Sequence, residues 1–324
     1  MPTMTMAKAL NAGLRRALQA DPRVLLAGED IGKLGGVFRI TEGLQAEFGW
    51  DRVIDSPLAE SGIIGTAVGL ALRGYRPVCE IQFDGFVFPA FDQIVSQVSR
   101  LHFRSHGNLR MPIVVRIPYG GGIGAIEHHS ESPEAYFAHT PGLKVVSCSN
   151  PLDAYWMIQQ AIASDDPVIF FEPKRRYHEK GEVDPDGRPM PLHQARVVKS
   201  GSDLTLLTYG PMVRTCVEAA LAASEEGRHV EVVDLRSLSP LDEHTIVESV
   251  TRTGRAVVVH EAVKNLGLGA EIAARVQEKC FFSLEAPVLR VTGYDLPYPP
   301  SHLEQGYLPD LDRVLDAVDR ALAY

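Results

Sequence analysis

Apolar residues recur along the chain in two alternating patterns. Leu10, Leu14 and Leu18 keep helical spacing, and a helix over 153–163 is entered through Asn150. Short apolar runs bounded by glycine and proline alternate with these helices and are typical of buried parallel strands. The runs lie at residues 24–27, 77–81, 112–117 and 167–171. This alternation predicts an α/β domain, a parallel sheet with helices on both faces.

A second series of the same kind begins after residue 191. Its predicted strands are 204–208, 230–235, 256–260 and 288–291. Its predicted helices are 212–224, 242–253, 269–280 and 311–323. Charged residues, glycine and proline concentrate between the two series, which is typical of a linker. We therefore expect a domain at 1–183, a linker at 184–191 and a smaller α/β domain at 192–324.

Composition limits the classes of function. A length of 324 residues exceeds what one hydrophobic core usually fills, which agrees with two domains. The net charge of −9 and the lack of a basic stripe disfavour a nucleic-acid partner. No apolar run is long enough to span a membrane, and the start shows no signal or transit pattern. We expect a cytoplasmic protein of a bacterium, although a processed organellar chain would look the same.

The cysteines lie far apart in the sequence, within apolar strands or helices. Such cysteines are typical of reduced core residues rather than of a metal site or a disulfide framework. They are Cys79, Cys148, Cys216 and Cys280.

Glu60 lies where an apolar strand gives way to a glycine-rich apolar helix, in the run DSPLAESGIIG at 55–65. A carboxylate in apolar surroundings needs a hydrogen-bond partner or takes up a proton, so its position indicates a specific use. The structural alternative is a helix-entry glutamate that stabilises the amides of the first turn. Position alone favours the helix-entry interpretation, because such glutamates are common and catalytic acids are rare.

Further motifs follow in a fixed order. They are EIQFDGFVFPAFDQ at 80–93, IEHHSESPEAYF at 126–137, PGLKVV at 141–146 and VHEA at 259–262. In order and spacing they resemble the β subunit of the thiamine-diphosphate-dependent decarboxylase component of 2-oxo acid dehydrogenase complexes. The resemblance covers nearly the whole chain. It implies a transketolase-like pyrimidine-binding domain followed by a smaller domain of the transketolase C-terminal type.

The resemblance also implies a role for Glu60. In this family a carboxylic side chain at the pyrimidine ring nitrogen of thiamine diphosphate favours the imino form of the aminopyrimidine, which is the base in the reaction. Glu60 matches that side chain. The apolar surroundings expected from Leu58, Ile63 and Ile64 should strengthen its hydrogen bond, because water does not compete there.

Other family positions carry over residue by residue. Phe86 matches the aromatic residue that stacks on the aminopyrimidine; where relatives have Tyr, its hydroxyl is absent here. Gln82 and the backbone of Leu58 match positions that complete the pyrimidine pocket. His129 matches the histidine that helps the lipoyl arm accept the acyl group, a step that needs a proton donor. The neighbouring His128 has no matching role.

The chain lacks the segment by which thiamine enzymes hold the metal of the diphosphate, a Gly-Asp-Gly with a downstream Asn. The resemblance therefore implies that an α subunit supplies the Mg²⁺ ligands and that the cofactor lies between subunits. Family members often hold a K⁺ through main-chain carbonyls, here near Ile113 and before Pro167, and we assign no metal ligands. The glycine-rich run at 119–124 lacks the ending of a phosphate-binding loop, and we interpret it as flexible backbone.

The expected activity is that of the β subunit of an α₂β₂ 2-oxo acid dehydrogenase. The runs FPAFDQ at 88–93 and SPEAYFAH at 132–139 look more like the branched-chain enzyme than the pyruvate enzyme. A pyruvate or acetoin dehydrogenase subunit remains an alternative, as does a fragment of a transketolase or deoxyxylulose-phosphate synthase. A non-catalytic docking subunit is the alternative of another class.

The C-terminal domain shows no recognisable catalytic set. The resemblance implies that it holds two β subunits together and docks the lipoyl acyltransferase through that enzyme's small basic domain. Acidic residues of the last helix suit such a partner, because complementary charge speeds association. An ordinary solvated helix face is the alternative. These residues are Asp310, Asp312, Asp316 and Asp319.

Overall fold

The computed structural model describes residues 1–324 and divides into two compact units. The first comprises Met1–Tyr119 and Tyr136–Leu192, and the second comprises Gly120–Ala135 and His193–Tyr324. The second boundary lies next to the predicted linker. The segment Gly120–Ala135, however, groups with the second unit although the sequence analysis assigned it to the first domain.

The first unit alternates strands and helices as the hydrophobic pattern predicts. Its strands are β1 (Thr3–Thr5), β2 (Val24–Gly28), β3 (Val53–Asp55), β4 (Arg76–Glu80), β5 (Val114–Tyr119), β6 (Lys144–Ser147), β7 (Val168–Pro173) and β8 (Lys180–Glu182). Its helices are α1 (Met6–Ala20), α2 (Leu44–Phe48), α3 (Glu60–Leu72), α4 (Phe91–Gln93), α5 (Leu101–Arg104), α6 (Glu134–Ala138, which begins in the other unit) and α7 (Pro151–Ala163). A 3₁₀ turn at Asp84–Ala90 and a π-helical turn at Ile94–Val98 follow β4.

The main sheet of this unit is parallel and has the strand order β6-β7-β5-β4-β2-β3. The chain passes from β2 outward to β3 and then returns across β2 to β4. The connection that leaves β2 leads to β3, whereas the connection that leaves β4 leads in the opposite direction to β5, which makes the β2/β4 pair a topological switch point. Open α/β sheets bind ligands at the carboxyl ends of the strands at such a point.

Packing of α1 on α7 explains the helical spacing at the start of the chain. Leu10, Leu14 and Leu18 are all buried in the core. Gly13 allows the two helices to approach closely, because a Cβ at that position would lie 2.6 Å from Ile158 Cγ2. The predicted start of α7 is also confirmed, since Asn150 Oδ1 accepts a hydrogen bond from the third following amide at 2.9 Å.

The second unit contains a smaller sheet with the strand order β14-β13-β10-β11-β9, parallel except for the antiparallel edge strand β9. Its strands are β9 (Arg196–Lys199), β10 (Leu204–Thr208), β11 (Val230–Asp234), β12 (Ser237–Ser239), β13 (Ala256–Val263) and β14 (Leu289–Gly293). Its helices are α8 (Met212–Glu225), α9 (Glu243–Thr253), α10 (Leu268–Cys280), α11 (Glu304–Tyr307) and α12 (Leu311–Leu322). No helix of the chain is both long and apolar enough to cross a membrane.

Candidate functional site

The predicted pyrimidine-pocket residues lie at the carboxyl edge of the first sheet. Glu60 is the first residue of α3, which follows β3, whereas Gln82 and Phe86 follow β4. Glu60 is partly buried, and its carboxylate forms no hydrogen bond or ion pair within the chain. The interpretation of Glu60 as a side-chain helix cap therefore finds no hydrogen bond to support it, although its charge still lies at the favourable end of the helix.

Two acidic residues next to this position were missed by the sequence analysis. Glu29 and Asp30 follow β2 directly, and Asp30 has a left-handed backbone, φ 58°. Burial raises the pKa of the Glu29 carboxyl, and the negative charges of Asp30 and Glu60 raise it further. Negative charge thus accumulates at the switch point. The detectable signal was the position of both residues at the end of a buried apolar run.

Gln82 connects the two loops of the switch point. Its Nε2 donates to the Glu29 carbonyl and to an Asp30 carboxylate oxygen, both at 3.5 Å, so both bonds are long. The structure therefore places Gln82 beside the residues that neighbour Glu60. This arrangement agrees with a shared pocket, and the assignment of the pocket to a pyrimidine remains a prediction.

The ring of Phe86 is the end of a series of aromatic contacts. Its partly buried ring meets Phe83 edge-to-face at a centroid distance of 5.9 Å, and Phe83 meets Phe38 at 5.3 Å. Such edge-to-face contacts fix ring orientation and contribute on the order of 0.5–1.5 kcal/mol per pair beyond area burial. These contacts therefore hold the ring of Phe86 in a defined orientation.

The expected apolar surroundings of Glu60 are present only in part. Ile63 and Ile64 are buried, as predicted, but the side chain of Leu58 is 71% exposed. Leu58 precedes the helix in a segment without regular structure, so its side chain finds no neighbouring layer to pack against within this chain. The expectation that Leu58 desolvates Glu60 is therefore wrong for the chain by itself.

A buried ion pair fixes the turn that carries Phe86. Asp84 follows β4 and pairs with Lys174, which follows β7, and both side chains are fully buried. Lys174 Nζ also lies 5.7 Å from the ring centroid of Phe83. Charges are retained in an interior only when each has a partner. The pair was not predicted, because 90 positions separate its members and no local pattern connects them.

A second buried charge network lies across the same strands. Arg116 on β5 contacts Glu80 at 2.6 Å and binds both carboxylate oxygens of Glu172 at 2.7 and 2.9 Å. Tyr177 donates its hydroxyl to Glu172 at 2.7 Å. Burial raises the pKa of the Glu80 carboxyl, and the attraction of Arg116 opposes this rise. Bidentate pairing of this kind holds three neighbouring strands in register beneath the site.

His129 belongs to the second unit, where it ends the 3₁₀ turn Glu127–His129. Its ring is partly buried and lies 4.5 Å from the ring of His128, centroid to centroid. A hydrogen bond from its own amide, followed by one from His128, holds the pKa of the Glu127 carboxyl below its usual value. The turn therefore combines two imidazoles with an ionised carboxylate, and the role of His129 remains a prediction.

The interpretation of the glycine-rich run as flexible backbone is wrong. The amides of Gly121, Gly122 and Gly124 all donate to carboxylates of the second unit, those of Glu261 and Glu304. Distance along the sequence hides these partners. The backbone of the run binds negative charge after all, and the carboxylates that it binds are side chains of the chain itself.

The acidic residues of the last helix are largely engaged within the chain. Asp310 caps α12 by accepting from the Arg313 amide at 2.9 Å. Asp319 pairs with Arg228, and Asp316 lies 3.5 Å from Arg320. The face therefore carries less unbalanced negative charge than the sequence indicated. The four cysteines are all free and buried, which confirms their interpretation as core residues.

Two family models match the chain. The model described as the transketolase pyrimidine binding domain matches residues 2–180, and that of the transketolase C-terminal domain matches residues 193–314. A solved structure described as a split gene transketolase, an inactive beta4 tetramer, aligns with a TM-score of 0.82 at 24% identity. The alignment covers 99% of this chain and 98% of that chain. The predicted two-domain α/β fold is confirmed.

Curated relatives carry the names of dehydrogenase subunits. One from Leifsonia xyli, named pyruvate dehydrogenase E1 component subunit beta, is 62% identical over 99% of this chain and 96% of its own length. One from Mycobacterium tuberculosis, named 3-methyl-2-oxobutanoate dehydrogenase subunit beta, is 56% identical over 99% of this chain and 92% of its own. Together with the two domain matches, these relatives confirm the resemblance seen in the sequence: the chain belongs to the transketolase-like β subunits of 2-oxo acid dehydrogenase E1 components.

Proposed function

We propose that this chain supplies the pyrimidine half of a thiamine diphosphate site in an α₂β₂ 2-oxo acid dehydrogenase. The enzyme decarboxylates a 2-oxo acid and transfers the acyl group to the lipoyl arm of an acyltransferase. The observation that carries the proposal is Glu60, a partly buried carboxylate without a partner in the chain, next to a topological switch point. A carboxylate left in this state is available to a ligand.

The residues at the edge fit an aminopyrimidine. Phe86 offers a supported aromatic face, Glu60 offers a carboxyl group for a ring nitrogen, and Gln82 offers an amide. When bound, thiamine diphosphate supplies the nucleophilic carbon and stabilises the negative charge left by decarboxylation. Glu60 would share a proton with the ring nitrogen, Phe86 would orient the ring, and the neighbouring buried Ile63 would help to keep water away.

The remaining half of the site comes from a partner chain in this proposal. No cluster of three or more His, Cys, Asp or Glu side chains in the structure is arranged to hold a metal ion. We assign the Mg²⁺ and the diphosphate to an α subunit, since relatives are named as β subunits. A structural K⁺ bound by main-chain carbonyls remains a prediction without assigned ligands, and so does the cytoplasmic location.

We propose a branched-chain 2-oxo acid as the substrate, because the runs at 88–93 and 132–139 resemble the branched-chain enzyme. Pyruvate is the second candidate, and the relative at 62% identity carries that name. The two names among close relatives support both substrates equally. The pocket is shared with the α subunit in this proposal, so this chain determines only part of the choice.

Reconstitution tests the proposal. The chain is co-expressed with its α subunit and assayed on pyruvate, 2-oxoisovalerate and 2-oxoglutarate at matched concentrations. We expect the highest kcat/KM for 2-oxoisovalerate, whereas a preference for pyruvate would establish the second candidate. Calorimetry with thiamine diphosphate and Mg²⁺ should show tight binding only when both chains are present. Micromolar binding by the isolated chain would contradict a shared site, and an affinity independent of this chain would favour a docking subunit.

A further inference from the structure

The segment Gly120–Ala135, called the His129 loop, is bound through its backbone to the remainder of the second unit. Gly120, Gly122 and Gly124 have positive φ values of 82°, 84° and 71°. Alternation of left-handed residues turns successive amides toward one side, and such a concavity binds anions. The loop therefore begins with an anion-binding backbone.

Buried carboxylates of the same unit occupy this concavity. Glu261 of β13 accepts from the Gly121 amide at 2.5 Å. Glu304 of α11 accepts from Gly122 at 3.0 Å and from Gly124 at 3.2 and 3.3 Å. The two glutamates are only 3% and 4% exposed. Charge-assisted bonds to buried carboxylates are among the stronger hydrogen bonds of a protein, so this end of the loop is firmly held.

Tyr298 closes the arrangement. Its hydroxyl donates to Glu304 at 2.8 Å and accepts from the Gly122 amide at 3.2 Å. A Cβ at Gly121 would lie 1.9 Å from the same hydroxyl, so only glycine fits there. Burial, followed by the hydrogen bond to Glu304, raises the pKa of the Tyr298 hydroxyl, which therefore stays protonated as a donor.

The other end of the loop is fixed in the same unit. Glu134 is fully buried and accepts from the Tyr209 hydroxyl at 2.5 Å. Within the loop, the Gly120 amide donates to the Glu131 carbonyl at 2.9 Å, which brings the two arms together around the turn that ends at His129. His129 is thus placed by bonds at both ends of the loop rather than by its own side chain alone.

We propose that Glu304 and Glu261 are positioning residues for the acyl-transfer step, acting by holding the His129 loop. This rests on the role proposed above for His129 as the proton donor to the lipoyl arm. The C-terminal unit then contributes to the reaction as well as to assembly. Displacement of a catalytic group by about 1 Å can cost about 100-fold in rate, which sets the scale of the effect.

Glu304→Gln tests the proposal with little change of shape. Every partner of the Glu304 carboxylate is a donor: the two glycine amides and the Tyr298 hydroxyl. A glutamine must therefore turn its NH₂ toward a donor in either orientation, and part of the anchor is lost. The matched control is Glu231→Gln, which alters a carboxylate of the same unit that is equally buried but bonded to Ser249 and Arg252.

Each variant is assembled with the α subunit and assayed with an artificial electron acceptor and with the lipoyl domain. We expect Glu304→Gln to lower kcat/KM for the lipoyl domain by about 10- to 100-fold. The rate with the artificial electron acceptor should fall by about twofold or less. Exchange of the Gly122 and Gly124 amides with solvent should become faster. In a double variant with His129→Ala, Glu304→Gln should add no further loss, because the anchored group is already absent.

Equal loss in both reactions, the same pattern in Glu231→Gln, or additive losses in the double variant would overturn the anchoring role. Normal lipoyl transfer by His129→Ala would also overturn it, and would place the error in the proposed role of His129. Retained transfer by Glu304→Gln together with a defective His129→Ala would place the error in the anchor alone. If Glu304→Gln fails to assemble, Tyr298→Phe removes one contact of the same carboxylate and should show a smaller loss confined to lipoyl transfer.

Discussion

Glu60 and Glu304 are each the first residue of a helix, yet their surroundings differ. Glu60 is partly exposed and has no partner in the chain, whereas Glu304 is buried and accepts from two backbone amides and a tyrosine. A buried carboxylate must have its hydrogen bonds satisfied internally, so it serves the fold. A carboxylate without internal partners is the one available to an external ligand. Burial and hydrogen-bond partners therefore distinguish a carboxylate that is available to a ligand from one that positions the backbone. The residue type does not, since both residues are glutamates.

Removing the charge of Glu60 gives the largest expected effect and tests the binding side of this contrast. Glu60→Gln in the assembled enzyme should lower turnover by about 10²- to 10⁴-fold, the range for loss of a positioned acid–base group. Folding should survive because no hydrogen bond within the chain is lost. Steady-state assays combined with thermal melts check both parts. Decarboxylation near the normal rate would return Glu60 to a helix-end role.

The buried pair behind the site tests the opposite case, charges that serve only the fold. Asp84→Asn leaves Lys174 charged and buried, and should lower the free energy of unfolding by about 3–5 kcal/mol. The double variant Asp84→Asn with Lys174→Met should recover much of this loss, since no uncompensated charge remains. Urea unfolding of the chain measures both. A loss below about 1 kcal/mol in Asp84→Asn would show that water reaches the pair.

The dependence of stability on pH tests a buried histidine of the second unit, His260. Burial lowers the pKa of His260 to about 4, and its Nε2 accepts from the Gly269 amide at 3.1 Å. Between pH 6.5 and 4 the unfolded chain binds a proton that the folded chain does not, so this group's contribution to stability is lost as the pH falls.

The expected size of that contribution is about 2 kcal/mol between pH 7 and pH 5. His260→Gln keeps an acceptor for the Gly269 amide but cannot titrate. The difference in unfolding free energy between the original chain and this variant should therefore shrink on acidification. Urea unfolding at the two pH values measures it, and a difference that stays constant would mean that His260 titrates normally.

Exposed charges on α12 give the smallest expected effect. Asp316→Asn with Asp319→Asn should weaken acyltransferase binding by about two- to fivefold at low salt and hardly at all at high salt, because exposed charges are screened. Both aspartates already have arginine neighbours, which limits the effect. Glu218→Gln is the control, an exposed glutamate paired with Arg214 on α8. An affinity at low salt that the double substitution leaves unchanged would place the docking surface elsewhere.

Elements whose determinants are local in the sequence lie where the sequence predicts them. The strand expected at 204–208 is found at Leu204–Thr208, and Asp242, expected to begin a helix, caps α9 instead. Glu60, Gln82 and Phe86 lie at one edge of the sheet because parallel strands bring the residues that follow them together. Their grouping could therefore be expected, whereas the exposure of Leu58 could not, since it depends on which surfaces remain uncovered.

By itself, the sequence determined the alternation of strands and helices and the family, and it predicted which side chains take part in the chemistry. These follow from periodicity and motifs that extend over a few residues. Only the tertiary structure decided that Lys174 lies under the Phe86 turn and that Glu304 holds the loop of His129. Both bonds join residues far apart in the chain, and their energy depends on burial. Burial is a property of the folded chain that no local pattern encodes.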